Sequence, residues 1–340
     1  MKPTDFSYAL TKYLSSYLPG QRNASQNTIF SYRDTFKLLL RFAENECGIR
    51  PERLTLAQID VKFIERFLDW LESSGGCSIS TRNLRLAAIR AFFRYLQREK
   101  PELLAQCQQM LSIESKSAAK PLVNYLSVDA MRYILAAPDI SDPYGLRDAA
   151  VLSLLYESGA RVSEIASLNV MDIRILAPAV VTLMGKRRKA RQCPLSATIA
   201  ENLALYLSVW KLNSPDKSTC PLFVNHKKER LSRAGIKYVL TKYADMVREK
   251  HPGIMPKTVS PHMLRHSKAM HLLQADVNLI YIRDWLGHTS IKTTGVYAKA
   301  DTEMKRNAFK KVAPAVSPMQ NENTWSDDTG LMQWLDSLGQ

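Results

Sequence analysis

The stretch SPHMLRHSKAMHLL, which begins at Ser260, places two histidines and an arginine within five positions, 262–266, of one predicted helix. Ser260 is a favourable N-cap, Pro261 suits the first helical position, and the later Met and Leu residues supply an apolar face. His262, Arg265 and His266 therefore share one turn near a helix N-terminus. This arrangement suits a bound anion, and phosphate is the obvious one.

A zinc site is the first alternative, because His262 and His266 have the four-residue spacing of a metal-binding helix. A metalloprotease helix of this kind carries glutamate directly after its first histidine as general base, and here that position is Met263. Arg265 would also put a fixed positive charge beside the cation. We therefore expect no metal and no cofactor. An ordinary helix with a polar face remains the alternative without chemistry.

The composition favours a nucleic-acid partner. The chain has 340 residues, enough for about two domains, and a formal net charge of +15 with a pI near 9.6. Residues 313–340 contain acidic residues but no lysine or arginine, so the basic excess falls on residues 1–312. Such an excess is typical of proteins that bind nucleic acids.

The cysteines and the hydropathy pattern give expectations about the compartment. The five cysteines are odd in number, widely spaced and free of any CxxC pair, as is usual for reduced thiols in the cytosol. No signal peptide opens the chain, and no apolar run approaches the length of a membrane span. We therefore expect a cytoplasmic protein without a membrane partner.

Residues 1–112 are predicted to form an all-helical domain. Apolar residues recur at three- and four-residue spacing in three segments, SQNTIFSYRDTFKLLLRFAENE, DVKFIERFLDWLESSGG and SISTRNLRLAAIRAFFRYLQREKP. In the third segment Arg90, Arg94 and Arg98 recur every four residues and form a basic stripe. We interpret the stripe as a DNA-binding surface, and a solvated stripe without function is the alternative.

The rest of the chain divides into a linker, a larger domain and a tail. Residues 113–125 lose the periodicity and gather Ser, Ala, Lys and Pro, which is typical of a linker. Residues 126–312 have a mostly helical pattern, but PAVVTLMGKRRKARQCPLS predicts a β-hairpin with its tip at Gly185 to Lys189. Within 313–340, TGLMQWLDSLGQ predicts a short helix whose apolar face needs a surface to pack on.

Four separate segments of the larger domain hold residues able to do chemistry. In chain order they contribute Arg161 and Glu164 in SGARVSEIASL, Lys186 in the hairpin, His262 and Arg265 in PHMLRHS, and His288 and Tyr297 in WLGHTSIKTTGVYAKAD. This ordered set, with Tyr297 nine residues after His288, resembles the tyrosine recombinase (phage integrase) family, in the branch of Xer-type recombinases and mobile-element integrases. Residues 1–112 are similar to the family's helical core-binding domain.

The resemblance implies a mainly α fold with a small β-sheet, organised as a two-domain, C-shaped clamp around duplex DNA. It also implies site-specific recombination through a 3′-phosphotyrosyl intermediate, without metal or ATP. Tyr297 is then the nucleophile and Lys186 the general acid for the leaving 5′ oxygen. Arg161 and Arg265 hold the phosphate with planar forks of donors, which lysine could not reproduce.

The remaining residues of the pattern have supporting roles by the same resemblance. His262 handles the tyrosine proton, His288 hydrogen-bonds the phosphate, and Glu164 holds the Arg161 guanidinium. His266 and His271 are expected to serve packing, because the family pattern gives them no chemistry.

The resemblance also implies partners and leaves two other classes open. Four protomers are expected to join two specific double-stranded DNA sites, and the tail is expected to pass to a neighbouring protomer, with packing on its own chain as the alternative. A monomeric relaxing topoisomerase shares the chemistry, but it does not join two sites. A DNA-binding regulator without cleavage is disfavoured by Tyr297 together with both arginines.

Overall fold

The structure, a computed structural model, describes residues 2–118, 123–185, 189–288, 290–300 and 330. The chain separates into two compact units, Met1–Pro121 and Leu122–Gln340, here called the N-terminal and C-terminal units. The boundary between them falls within residues 113–125, the segment predicted to be a linker.

The described part of the N-terminal unit is helical. Its α-helices are α1 (Asp5–Lys12), α2 (Gln26–Cys47), α3 (Val61–Ser73), α4 (Ile79–Glu99) and α5 (Leu104–Ser112). A π-helical segment, Tyr13–Gln21, continues α1. Short 3-10 turns lie at Pro51–Arg53, Leu56–Gln58 and Pro101–Leu103. The three segments with helical periodicity are therefore confirmed as α2, α3 and α4.

Side-chain caps explain where these helices begin. The side-chain oxygens of Ser25, Asp60 and Ser78 accept hydrogen bonds from backbone N–H groups in the first turns of α2, α3 and α4. Aromatic rings fill the core between the helices, where Phe92 of α4 packs edge-on against Phe6 at 5.9 Å between ring centroids. The N-terminal unit thus has a hydrophobic core of its own.

The described part of the C-terminal unit is mostly helical and contains one small sheet. Its elements are α6 (Val128–Ala136), α7 (Pro143–Ser158), α8 (Val162–Ser167), β1 (Ile173–Arg174), β2 (Val180–Met184), β3 (Ala190–Pro194), α9 (Ala197–Val209), α10 (Arg233–Lys250), α11 (Pro261–Gln274), α12 (Leu279–Leu286) and α13 (Ile291–Ala300), with 3-10 turns at Val170–Asp172 and Pro215–Lys217. The prediction of a mainly helical fold with a small sheet is confirmed.

The sheet is antiparallel with the strand order β1-β2-β3. The predicted hairpin is confirmed as β2 and β3, which pair in the register Val181 with Cys193, and both of these side chains are buried. Its described base closes with a hydrogen bond of 2.8 Å from the Gly185 N–H to the Lys189 carbonyl. The predicted tip residue Lys186 lies outside the described residues. Strand β1 was not predicted, because its two residues are too few to show an alternating pattern.

Helix α7 is buried along most of its length and forms the centre of the C-terminal unit. A second cluster of apolar side chains joins α11, α12 and α13, and it includes Met270, Leu286 and Tyr297. Arg265 of α11 donates to the carbonyls of Gly159, directly after α7, and Leu286, at the end of α12, so these elements lie close together and form the candidate active site. No helix in the described ranges is long and apolar enough to span a membrane.

Candidate active site

The turn between α7 and α8 carries Arg161. Helix α7 ends at Ser158 and is capped by Gly159, whose φ of 56° is in the left-handed region. Arg161 then serves as the N-cap residue of α8, where its backbone N–H donates to Glu164 Oε2 at 2.8 Å. Its guanidinium Nη1 donates to Glu164 Oε1, also at 2.8 Å. The contact predicted from the three-residue spacing is therefore present, and the Arg161 side chain stays 34% exposed.

Glu164 also binds a second guanidinium, that of Arg191 on β3. Arg191 Nη1 and Nη2 donate to the two carboxylate oxygens at 3.0 and 2.8 Å. Arg191 Nε donates to the Trp285 carbonyl near the end of α12 at 3.1 Å. Burial by itself would raise the pKa of Glu164, but the hydrogen bonds from Arg191 and Arg161 hold this pKa below its ordinary value.

Sequence reasoning missed Arg191, although one signal was present. Alternation along β3 places Arg191 on the same side of the strand as Cys193, which is buried. A basic residue on the core side of a strand requires a buried counter-charge. That counter-charge is Glu164, and Arg191 thereby links the hairpin, α8 and the end of α12.

Arg265 of α11 is the most enclosed arginine of the site, at 4% exposure. Its Nη1 donates to the Gly159 carbonyl and its Nη2 to the Leu286 carbonyl, each at 2.6 Å. These two carbonyls are at the ends of α7 and α12, so one guanidinium joins three helices. Burial, together with the nearby charge of Arg161, lowers the pKa of Arg265 to about 10. The side chain therefore remains positively charged at neutral pH.

His288 follows α12 directly. The helix is capped by Gly287, which has a φ of 64°, and a Cβ at this position would lie 3.0 Å from the Arg191 side chain. His288 Nδ1 lies 3.0 Å from Thr294 Oγ1. Burial and the charges of Arg265, Arg161 and Arg191 lower the pKa of His288 to about 4. The imidazole is therefore neutral at physiological pH.

Tyr297 of α13 lies between two histidines. Its hydroxyl is 2.9 Å from His266 Nδ1, and its ring is nearly parallel to that of His288, with 6.4 Å between centroids. Tyr297 is only 3% exposed, and this burial raises the pKa of its hydroxyl. The sequence predicts packing for His266, and its contact with the Tyr297 hydroxyl was not predicted.

The other histidines of α11 occupy different surroundings. His262 is exposed and has no hydrogen-bond partner among the described residues. His271 has other partners, since its Nδ1 is 2.8 Å from the Tyr156 hydroxyl and its Nε2 is 2.9 Å from the Leu126 carbonyl. Within the described ranges, no group of three or more His, Cys, Asp or Glu side chains is arranged to hold a metal ion.

The three arginines of the predicted basic stripe on α4 differ in their contacts. Arg90 is partly buried, with Nη1 3.4 Å from Ser115 Oγ, and Arg98 Nη1 donates to the Tyr17 hydroxyl at 3.2 Å. Arg94 is exposed and has no partner in the described part of the chain. The structure thus brings Arg161, Glu164, Arg265, His288 and Tyr297 together in the C-terminal unit, and the stripe belongs to the N-terminal unit.

The fold and this cluster define a tyrosine recombinase, and comparison with known families agrees. The phage integrase family matches residues 124–304, and the family's N-terminal SAM-like domain matches residues 10–100. The chain belongs to the phage integrase family. It is a site-specific tyrosine recombinase, as the ordered residues predicted.

Several relatives resemble the chain over nearly its whole length. The y4rC protein of Sinorhizobium fredii is 40% identical over 97% of this chain and 97% of that protein. Tyrosine recombinase XerC of Pelotomaculum thermopropionicum is 34% identical over 88% of this chain and 95% of that enzyme. The Tn1549 transposon integrase, solved in complex with transposon right end DNA, shares the fold, with a TM-score of 0.68 at 16% identity and coverage of 89% of this chain and 99% of that one.

Proposed function

We propose that this recombinase cuts double-stranded DNA at a specific site by attack of Tyr297 on one phosphodiester, forming a 3′-phosphotyrosyl bond. The observation that carries the proposal is the position of Tyr297. Its ring lies against that of His288, with 6.4 Å between centroids, so the nucleophile adjoins a residue proposed to bind phosphate. Because the phosphotyrosyl bond keeps the energy of the broken linkage, the strand is resealed without ATP.

The charges of the cluster suit a phosphate in the act of transfer. Arg161 and Arg265 supply two positive groups, and the partly exposed Arg161 is open to a ligand. The neutral His288 keeps one N–H donor for a phosphate oxygen. Such donors, fixed before the DNA arrives, stabilise the charge that develops on the non-bridging oxygens.

Lys186 is proposed as the general acid that protonates the leaving 5′ oxygen. The described base of the hairpin supports this role, since a Cβ at the adjacent Gly185 would be 3.8 Å from both Glu164 Oε1 and Arg191 Nη1. The described base of the hairpin at Gly185 therefore lies beside the Glu164–Arg191 pair. A lysine on a hairpin tip can approach the leaving oxygen once DNA is bound.

The domain roles and the assembly are also proposals. Residues 1–112 would hold the DNA through the α4 stripe, with the exposed Arg94 free to contact a phosphate, and residues 126–312 would carry out the chemistry. Four protomers would join two sites. The tail, 313–340, lies outside the described residues except for Gly330, and we propose that its Leu331, Trp334, Leu335 and Leu338 pack on a neighbouring protomer.

A covalent-trapping experiment with Tyr297→Phe tests the proposed function. A pool of nicked duplexes with a randomised central segment is incubated with the wild-type protein, and sequencing the trapped DNA gives the site. On that duplex Tyr297→Phe should form no SDS-stable adduct but should bind normally, because only the nucleophilic oxygen is lost. EDTA should not reduce the wild-type adduct.

Tyr156→Phe is the matched control. Its hydroxyl also bonds a histidine of α11, but it is not the proposed nucleophile, and this variant should form the adduct. An adduct that persists in Tyr297→Phe would place the nucleophile elsewhere.

A further inference from the structure

The hydroxyl of Tyr297 has a specific acceptor within the C-terminal unit. His266 Nδ1 lies 2.9 Å from Tyr297 Oη, within the range in which a general base receives a proton directly. When the ring carries its own proton on Nε2, Nδ1 is free to accept the hydrogen bond from the phenol. The contact joins α11 to α13, so both helices hold the donor and the acceptor in place.

The surroundings of His266 favour the form that can accept a proton. Burial, together with the nearby charges of His262 and Arg265, lowers the pKa of His266 below its ordinary value, so the ring is neutral at physiological pH. His262 does not have this position, because it is exposed and contacts none of the described residues through a hydrogen bond. The histidine of the family pattern is therefore not the one that contacts the nucleophile.

We propose that His266, and not His262, is the general base for Tyr297. This inference rests on the proposed function, since it concerns the same cleavage step. His266 touches the reacting oxygen and is in this sense a catalytic residue.

The proton balance of the step is complete with residues already named. As Tyr297 Oη forms its bond to phosphorus, its proton passes to His266 Nδ1, and the ring becomes an imidazolium. The bond from phosphorus to the 5′ oxygen breaks, and Lys186 protonates that oxygen. In the rejoining step the 5′ hydroxyl returns its proton to Lys186 as it attacks phosphorus, the Tyr297 oxygen leaves, and His266 gives that oxygen its proton.

The same helix offers a matched control for this contact. His271 Nδ1 lies 2.8 Å from the Tyr156 hydroxyl, as His266 Nδ1 lies 2.9 Å from that of Tyr297. Both rings are half-buried on α11. The two pairs therefore differ chiefly in whether the phenol is the proposed nucleophile.

His266→Asn is the informative variant, because its amide oxygen can accept the hydrogen bond in the place of Nδ1 but cannot take the proton. Single-turnover cleavage of the selected nicked duplex should slow on the order of 100-fold, as is usual for loss of a general base. His271→Asn should cleave at the wild-type rate. The thermal midpoints of His266→Asn, His271→Asn and His266→Ala show whether any of these changes merely unfolds the protein.

A more acidic nucleophile separates proton transfer from a purely structural role. Ring-fluorinated tyrosine at position 297 ionises more readily, so it should restore much of the cleavage rate of His266→Asn and give little gain in the wild-type protein. A slow variant that the fluorinated residue does not rescue would show that His266 only packs against Tyr297.

The outcomes distinguish the inference from the proposed function. If the wild-type protein forms the adduct and His266→Asn cleaves as fast or faster, the role of His266 is overturned and the proposed function stands. Absence of any wild-type adduct overturns the proposed function, and this inference with it. Slow cleavage that is rescued by the fluorinated tyrosine supports both.

Discussion

Each polar side chain around Tyr297 has a charge state that follows from its surroundings. Arg265 keeps its charge although burial lowers its pKa to about 10, whereas His288, with a pKa of about 4, is neutral. The phenol of Tyr297 is protonated, because burial raises its pKa. At neutral pH the site therefore combines fixed positive charge with neutral imidazoles, and only the nucleophile must lose a proton.

The acid side of the pH profile should report on His266. Burial and the charges of His262 and Arg265 lower the pKa of His266 from 6.5. The other titratable groups beside its ring are Tyr297 and His288. The neutral ring is the active form, so wild-type cleavage should be constant above pH 6.5 and should fall as the pH drops through the lowered pKa. Rapid-quench cleavage across pH 5 to 8 in roughly half-unit steps measures this. His266→Asn should lack the decline, and an unchanged decline in that variant would contradict the prediction.

Lys186, rather than Lys189, should protonate the leaving 5′ oxygen. Lys186→Ala should be inactive on ordinary DNA, because an alkoxide leaves poorly without a proton. It should recover on a duplex with a 5′-bridging phosphorothiolate, since sulfur leaves without protonation. Gel analysis of covalent adducts on the two substrates gives the comparison. If Lys189→Ala recovers cleavage on the phosphorothiolate duplex and Lys186→Ala is inactive on both substrates, Lys189 is the general acid instead.

At the scale of elements, one buried carboxylate connects the hairpin to the helices. Glu164 of α8 accepts hydrogen bonds from Arg161 in the preceding turn and from Arg191 on β3. Arg191 also donates to the Trp285 carbonyl. The side chains of Glu164 and Arg191 are 3% and 12% exposed, so water screens this pair weakly. The network therefore fixes Arg161 relative to the strand that leads to the hairpin tip.

Removing Arg191 should destabilise the C-terminal unit. Arg191→Gln leaves the buried Glu164 with Arg161 as its remaining cation, and the free energy of unfolding should fall by about 3 kcal/mol. Arg174→Gln is the matched control, because Arg174 belongs to the same sheet but is exposed, and it should change stability by less than about 0.5 kcal/mol. Urea unfolding of the variants measures both values, and equal stabilities would show that the network is not stabilising.

Local patterns predicted the helices, whereas contacts between distant segments were not readable from the sequence. Ser260 caps α11 as its residue type and position indicated, with its hydroxyl accepting from the Met263 N–H. The partner of Arg191 lies 27 residues away at Glu164, and that of His266 lies 31 residues away at Tyr297. Periodicity reports which face of an element is buried, but it does not report which element covers that face.

At the scale of the whole molecule, the tail should link cleavage to assembly. A chain ending at Val312 should still bind a single half-site, because the proposed DNA-binding surfaces remain. It should lose cooperative occupation of the full site in a gel-shift titration. Burial of one Trp and three Leu contributes on the order of several kcal/mol, which is enough to bias assembly. Unchanged cooperativity would rule out exchange of the tail.

A point variant keeps the chain length constant in the same experiment. Trp334→Ala removes the largest apolar side chain of the predicted terminal helix and should reproduce the loss of cooperativity. Gln333→Ala, a polar neighbour, should behave as the full-length wild type.

The position of the covalent link to DNA shows which residue is the nucleophile. Trypsin cuts after Lys292 and Lys299, so the predicted attachment site falls in the peptide TTGVYAK, which contains a single tyrosine. Mass spectrometry of nuclease-trimmed adducts should find the nucleotide on that peptide, at Tyr297, joined through a 3′ phosphate. A nucleotide on any other tyrosine would show that Tyr297 is not the nucleophile, and a link through a 5′ phosphate would exclude a 3′-phosphotyrosyl intermediate.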